Sequence, residues 1–154
     1  MMIDVGVETG WTSPNLVRFN LKNSSITLTK EQTSWVASIN GIGGIAGAFI
    51  GSLSIGYFGS RNSIIATLLS MCLKWLCLIF AYTLSSKVLI YVFRFIGGIT
   101  STMAYSTFPL YLSEVALPEI RGALVVISLL GLHFGKIIST VIESYFEAEV
   151  TIPI

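Results

Sequence analysis

The chain has 154 residues, of which 53% are apolar and 11% are charged, and its mean hydropathy is +0.80. Because a soluble domain has about 25% charged residues, this composition excludes an ordinary soluble globule and a disordered tail. The net charge of +1 also excludes a nucleic-acid binder, since there is no basic field to attract phosphates. A membrane protein is the class that remains.

Residues 1–34 are mixed and polar, and Asp4 and Glu8 interrupt the start of the chain. No basic segment followed by an apolar core is present, so this region does not resemble a secretory signal. Asn23 begins an N-x-S/T sequon and is a candidate glycosylation site, although such triplets also occur by chance.

The first predicted span covers residues 35–58 and carries no charge. Thr29 and Gln32 predict a capping box before it. Three glycines recur every four residues and therefore share one helix face: Gly43, Gly47 and Gly51. Because small residues let membrane helices approach closely, this face predicts helix packing. A second interpretation is a seam along which a partner helix slides.

The second predicted span covers residues 63–82 and contains Lys74 about 18 Å along the helix. A charge at that depth costs about 3 kcal/mol or more unless the side chain snorkels outward or finds an acidic partner. Its apolar neighbours favour a scaffold helix whose lysine snorkels. Cys72 and Cys77 lie in the same apolar run and predict packing residues, not a disulfide framework or a metal site.

The third predicted span covers residues 88–112, with Arg94 near one end and Pro109 as a predicted kink near the other. Its hydroxyl-bearing residues include Ser101, Thr102, Ser106 and Thr107. They predict either the lining of a polar cavity or hydroxyls bonded to the helix's own backbone, and the sequence favours neither.

A charged loop, residues 113–122, leads to the fourth predicted span, residues 123–146. This span contains His133 and Lys136, and Lys136 shares a helix face with Glu143 as a candidate ion pair. The chain has no nucleophile and base set, no metal-ligand spacing and no phosphate loop. We therefore predict no enzyme activity, no metal and no cofactor.

Basic loop residues give conflicting indications of orientation. The loops on the side of the N-terminal segment hold four, Arg18, Lys22, Lys30 and Lys87, and the loops on the other side hold two, Arg61 and Arg121. The positive-inside rule would place the N-terminal segment in the cytoplasm, whereas the sequon at Asn23 requires the opposite. The residues alone leave the orientation open.

The stretch PLYLSEVALPEIRG, residues 109–122, resembles the motif after the fourth helix in the sugar porter family of the major facilitator superfamily. The residues that carry this resemblance are Pro109, Tyr111, Glu114, Val115, Pro118, Arg121 and Gly122. Arg94 and Gly98 resemble the G-R-x-x-x-G of the fourth helix, with Phe93 in place of the first glycine. GSLSIGYFGSRNSI resembles the motif between the second and third helices, and GWTSPNL and SWVASI are similar to the insect facilitated trehalose transporters.

The resemblance implies an all-α membrane protein with a partial major facilitator fold. The predicted spans would be helices two to five of a twelve-helix transporter, within its N-terminal half: 35–58, 63–82, 88–112 and 123–146. Residues 1–34 would be a remnant of helix one and an outer loop, and residues 147–154 a short divergent tail. We therefore expect a fragment of a longer transporter.

The resemblance also assigns roles to residues. Asn23 would lie outside the cell, and a latch on the cytoplasmic face would consist of Arg61, Glu114 and Arg121. The acidic and basic residues expected in the preceding motif are Gly56 and Ser60 here, so we expect a weakened latch.

The resemblance assigns fewer residues to contacts with the substrate than to the latch. By resemblance, a sugar would bind near the midplane of the membrane. Leu129 replaces a common glutamine there, and His133 is a weak candidate for a hydrogen bond to a sugar hydroxyl.

Three hypotheses about function remain. The leading one is a fragment of a facilitative hexose or trehalose transporter in the plasma membrane, whose partners are the bilayer and the missing half. The second is a non-transporting four-helix membrane protein that binds a full-length relative through the face of Gly43, Gly47 and Gly51. The third is a fragment of a proton-coupled sugar symporter, which would need an acidic residue in a cavity helix and commonly has it in helix one.

Overall fold

The computed structural model describes residues 1–18, 29–84 and 87–151, and in these ranges it contains helices and no strand. The helices in chain order are α1 (Met2–Arg18), α2 (Lys30–Thr83), α3 (Lys87–Val115) and α4 (Arg121–Thr151). The main contacts pair α2 with α3 and α1 with α4. The predicted remnant of helix one is therefore a helix of 17 residues that is packed into the bundle.

Helix α2 is a hairpin of two legs, residues 30–58 and 60–83, which meet at Gly59. Gly59 has φ 77° and ψ 165°, a conformation that glycine adopts without steric cost and L side chains rarely adopt. Val36 of the first leg packs in one buried cluster with Leu78 of the second, so the legs run antiparallel. The first and second predicted spans are these two legs.

The described part of the chain contains three helical segments long and apolar enough to cross a membrane: Glu31–Ala81, Lys87–Val115 and Arg121–Tyr145. The first has 51 residues, which is about 77 Å of helix and enough to cross a hydrocarbon core of about 30 Å twice. The reversal of chain direction at Gly59 divides this segment into two legs, and each leg can cross the membrane once. The chain is an all-α, multi-pass membrane protein, as the sequence predicted.

The predicted capping box begins α2. The Thr29 N–H donates to Gln32 Oε1 at 3.2 Å, and the Gln32 N–H donates to Thr29 Oγ1 at 3.4 Å. These bonds satisfy two backbone donors that the start of a helix otherwise leaves without partners. The capping prediction is confirmed.

The hydroxyl groups of α3 bond to the backbone of their own helix. Ser101 and Thr102 donate to the Gly98 carbonyl at 3.1 and 3.0 Å. Ser106 and Thr107 each donate to the carbonyl four residues before, at 2.8 and 2.7 Å. Of the two interpretations of this run, the structure supports the one in which the hydroxyls satisfy the helix itself.

The first leg of α2 approaches α3 along its row of glycines. A Cβ built at Gly47 would lie 2.5 Å from the carbonyl oxygen of Ile99 and 2.7 Å from its Cα. Gly43, one turn before, lies against the backbone of Phe95, whereas a Cβ at Gly51, one turn after, would lie 3.2 Å from Ser106 Oγ and 3.4 Å from Met103 Cγ. Because α3 occupies this face, it is not open to a second protein, as the second hypothesis required.

Helix α1 packs on α4 through a second row of small residues, which the sequence analysis did not predict. A Cβ at Gly10 would lie 2.8 Å from the Lys136 carbonyl oxygen and 2.9 Å from Ser139 Cβ. Gly6 faces the backbone of α4, and Gly135 faces the backbone of α1. The spacing of Gly6 and Gly10, four residues apart, is the signal for this seam in the sequence.

We expect Gly47→Ala to destabilise the bundle, and its matched control Gly56→Ala not to. The new methyl group at Gly47 meets the backbone of Ile99, and overpacking of this kind costs about 1–3 kcal/mol. Among the described residues nothing lies within 4 Å of a Cβ at Gly56, so alanine there gains up to about 1 kcal/mol of helix propensity. Thermal unfolding in lipid nanodiscs, followed by circular dichroism, checks these opposite signs. Equal melting temperatures would contradict a close seam.

Candidate functional site

Three charged side chains meet inside the bundle, between α1 and the second leg of α2. The Lys74 ammonium lies 2.7 Å from Asp4 Oδ2 and 2.7 Å from Glu8 Oε2. The side chains of Lys74, Glu8 and Asp4 are 0%, 2% and 24% exposed. Because Asp4 and Glu8 are one turn apart, a single face of α1 presents both carboxylates to one cation. We call these three residues the charge cluster.

Trp75 adds a further contact to the charge cluster, since its Nε1 donates to Asp4 Oδ1 at 2.6 Å. The prediction that Lys74 snorkels outward is therefore wrong: the lysine is buried, and two carboxylates offset the cost of burying its charge. The spacing of Asp4 and Glu8 was the signal that could have found this cluster.

On α3, Arg94 and Gly97 complete the surroundings of the charge cluster. Arg94 is fully buried, and its Nη1 donates to Thr12 Oγ1 at 2.9 Å. Thr12 lies one turn beyond Glu8, so Arg94 holds α1 at a second point. Gly97 lies directly against Glu8 Oε1, where a Cβ would overlap the carboxylate. Gly98, a residue of the predicted motif, faces the first leg of α2 instead.

A cavity of about 540 Å³ lies between α1, the first leg of α2 and α4. Its lining residues are Thr9, Gly10, Thr12, Asn40, Lys136 and Thr140. Its volume is within the range of small-molecule sites, about 300–1,000 Å³. Thr9, Lys136 and Thr140 are exposed, so hydroxyl, amide and ammonium groups line a cavity that is open at the surface of this bundle.

The hydroxyls of the cavity already donate their protons within their own helices. Thr9, Thr12 and Thr140 each donate to the carbonyl four residues before, at 2.8, 3.1 and 2.9 Å. Their oxygens still present lone pairs, so they act as acceptors toward a ligand. The donors of the lining are the Asn40 amide and the Lys136 ammonium. This arrangement can bind a ligand with several hydroxyl groups, each of which both donates and accepts.

His133, the predicted sugar contact, is not among the residues that line this cavity. It is exposed, and its Nδ1 lies 2.9 Å from the Leu129 carbonyl oxygen of its own helix. Lys136, about one turn further along α4, lines the cavity instead. No ion pair joins Lys136 to Glu143 in the described part of the chain. A role for His133 in binding stays a prediction.

At the end of the bundle that carries Gly59, the partner of Glu114 is Ser60. The Ser60 hydroxyl donates to Glu114 Oε1 at 2.7 Å, which ties the turn of α2 to the end of α3. Arg61 and Arg121 are exposed, and within the described ranges neither forms an ion pair with Glu114. The latch of these two arginines and Glu114 stays a prediction.

The other residues of the predicted motif lie around the connection from α3 to α4. Pro109 is inside α3, and Tyr111 is partly buried near the end of that helix. Pro118 is exposed in the turn, and Gly122 is the second residue of α4. Asn23, the predicted glycosylation site, lies outside the described residues.

We expect Lys74→Met to destabilise the protein by about 3–5 kcal/mol, because it leaves buried carboxylates without their cation. The matched control combines Lys74→Met with Asp4→Asn and Glu8→Gln, which removes the charge of all three groups and should recover most of the loss. Thermal unfolding in lipid nanodiscs measures both variants. If Lys74→Met alone were as stable as the wild-type chain, the charge cluster would not hold α1.

Residues 6–150 match the family described as Sugar (and other) transporter. The facilitated trehalose transporter Tret1 of Drosophila mojavensis is 36% identical over 134 residues, which are 86% of this chain and 15% of that relative. The Tret1 proteins of Anopheles gambiae and Polypedilum vanderplanki are 37% and 35% identical over 86% of this chain, and the match covers 16% and 25% of their own lengths.

The chain thus spans a quarter or less of the length of these three relatives. No solved structure matches it. The relatives are facilitated transporters, which are not enzymes. Because the match to the family covers residues 6–150, nearly all of the sequence, the chain belongs to the Sugar (and other) transporter family.

Proposed function

We propose that the chain is part of a facilitative transporter that moves a hexose or trehalose across the plasma membrane by alternating access. The observation that carries this proposal is the polar cavity of about 540 Å³ between α1, α2 and α4. Secondary transporters bind their substrates between helices near the membrane midplane. The names of the relatives, facilitated trehalose transporters, favour trehalose or a related sugar as the substrate.

The packing of the helices suits a change of shape. Pairs α2–α3 and α1–α4 are joined by close backbone contacts, whereas α1 and α4 make few contacts with α3. Side chains connect the two pairs, through Lys74 with its carboxylates, through Arg94 with Thr12 and through the buried cluster of Val5, Met71 and Ala104. The four helices can therefore move together as one unit. The missing half of the transporter, or a full-length relative, would be the partner against which they move.

We propose that Glu114 belongs to the latch of that movement, together with Arg61 and Arg121. In the described conformation Ser60 holds Glu114 by a charge-assisted hydrogen bond of 2.7 Å. Arg61 follows the turn at Gly59 by two residues and Arg121 is the first residue of α4, so a change of conformation can bring their charges to the same carboxylate. Only one of the two conformations would then contain the ion pairs, and this difference would bias the equilibrium.

In the protein translated from the complete transcript, we expect Glu114→Gln to shift the conformational equilibrium toward the inward-open state. Removing a charged acceptor costs about 1 kcal/mol of the latched state, or about fivefold in population. The measurement is the labelling rate of a cysteine introduced on the inner side by a membrane-impermeant thiol reagent. Glu119→Gln, the same change five residues later in the connection from α3 to α4, is the control and should leave the rate unchanged. A rate unchanged in both variants would count against the latch.

The transport test begins with end-to-end sequencing of the transcript that encodes these residues. Its product is then expressed in oocytes, and the uptake of labelled trehalose and glucose is compared with that of water-injected cells. We expect saturable uptake that follows the sugar gradient in either direction. A product that reaches the surface without increasing uptake would contradict transport. Co-purification of that product with a full-length relative would then support the non-transporting alternative, through a surface other than the glycine face that α3 occupies.

Proton coupling is the second candidate, and a specific observation favours it. Helix α1 is present and places Asp4 and Glu8 inside the bundle. Either residue could be the acidic group that a proton-coupled symporter needs. The same uptake assay with a protonophore separates the mechanisms. Facilitative uptake is insensitive to the protonophore, whereas coupled uptake falls with the proton gradient and Glu8→Gln abolishes that response. We place facilitative transport first because Lys74 binds both carboxylates, and this pairing accounts for them without proton transfer.

A further inference from the structure

Among the described residues that line the cavity, Asn40 alone carries a side-chain amide, a neutral group that both donates and accepts hydrogen bonds. We propose that Asn40 determines which sugar the cavity accepts, by binding two neighbouring hydroxyl groups of the ring, and that Gly98 of α3 positions its amide. This inference rests on the proposed function, because it names a specificity-determining residue of the same cavity.

The first observation is the depth of Asn40 in the cavity. The side chains of Thr9, Lys136 and Thr140 are exposed, whereas Asn40 and Thr12 are partly buried. Asn40 belongs to the first leg of α2, and Thr12 belongs to α1. A ligand that enters past the exposed side chains therefore meets these two residues in the deeper wall.

The second observation concerns the hydrogen-bonding groups of that wall. The Thr12 hydroxyl is already engaged, because it donates to the Glu8 carbonyl at 3.1 Å and accepts from Arg94 Nη1 at 2.9 Å. Within the described ranges the Asn40 amide forms no hydrogen bond to another residue. Of the two deeper residues, Asn40 is therefore the one that offers donors to a ligand.

The third observation is that Gly98 fixes the position of Asn40. A Cβ built at Gly98 would lie 2.8 Å from Asn40 Oδ1 and would overlap the Asn40 backbone carbonyl oxygen. The backbone and the amide of Asn40 thus pack directly on α3, at a place where only glycine leaves enough room. Gly98 is not part of the cavity lining, so it acts on a ligand through Asn40.

A side-chain amide matches two hydroxyl groups on adjacent carbons of a sugar ring. One hydroxyl donates to the amide oxygen, and its neighbour accepts from the amide nitrogen. A sugar that lacks one of the two hydroxyls leaves part of the amide without a partner and binds less tightly. Both groups are neutral, which suits the uncharged sugars of the proposed function. The amide can therefore distinguish sugars by the arrangement of their hydroxyls.

The test is competition for uptake by the protein translated from the complete transcript. Glucose analogues that each lack one hydroxyl compete with the labelled sugar in oocytes, and the inhibition constant of each analogue is divided by that of glucose. In the wild type we expect two adjacent positions at which this ratio is about five or more. In Asn40→Ala the ratios at those two positions should fall to about one, while the other ratios stay unchanged. Asn40→Leu, which keeps the branched shape of the side chain, gives the same comparison if the alanine variant does not reach the surface.

Gly98→Ala should lower the same two ratios, and combining it with Asn40→Ala should change them no further, because both changes act through one amide. Gly47→Ala is the matched control, since it adds the same methyl group to the same seam between α2 and α3. It should reduce the amount of folded protein and leave the ratios unchanged, because they do not depend on the number of transporters at the surface. Asn62→Ala removes an exposed amide beyond the turn of α2 and should also leave them unchanged.

The outcomes separate this inference from the proposed function. Saturable uptake with the same ratios in the wild type and in both Asn40 variants would overturn the role of Asn40 and leave sugar transport in place. Wild-type ratios near one at every position, or raised only at positions that are not adjacent, would overturn it without any variant. Wild-type ratios in Gly98→Ala would overturn the positioning by Gly98. Absence of uptake by the wild-type protein at the surface would count against both the inference and the proposed function.

Discussion

The contact of one lysine with two carboxylates ties the α1–α4 pair to α2, and the cavity lies between these helices. Helix α1 has 17 residues and reaches α2 through Asp4 and Glu8, which bind Lys74, and through the buried apolar cluster of Val5, Met71 and Ala104. Among the described residues, Thr9, Gly10 and Thr12 of α1 line the cavity. In an apolar medium a charge without a partner is costly, so these three groups favour the position of α1 in which they meet. This contact, with the packing of α1 on α4, places α1 beside the cavity.

Small residues provide the second constraint, because they let backbones approach where side chains would hold them apart. The α2–α3 seam uses Gly43, Gly47 and Gly51, and the α1–α4 seam uses glycines from both helices. Gly10 acts in two ways, since it packs against the Lys136 backbone and also lines the cavity. The same absence of a side chain therefore brings α4 close to α1 and leaves room for a ligand beside it. Hydrophobic burial contributes little between helices in lipid, so such close contacts carry the packing.

Local patterns made much of the fold predictable. Hydropathy gave the four spans, the spacing of Thr29 and Gln32 gave the start of α2, and glycine periodicity gave the face that meets α3. The charge cluster was not predicted, because its bonds join residues 66 and 70 positions apart and depend on how helices assemble. The Ser60–Glu114 bond spans 54 positions and escaped prediction for the same reason. On α4 the resemblance pointed to His133, but the rotation of the helix places Lys136 at the cavity instead.

The two lysines within the spans show how one residue type serves two purposes. Lys74 is enclosed by Asp4 and Glu8, with Arg94 one helix away, so two acids and two bases make this part of the interior close to neutral. Its charge is already balanced and is suited to hold helices together. Lys136 lies at the cavity wall, and Glu143 stands near the end of the apolar segment, two turns away. Lys136 is exposed and forms no ion pair among the described residues, so its charge does not join the helices of this chain. Burial beside opposite charges therefore distinguishes the lysine that fixes the scaffold from the one at the cavity.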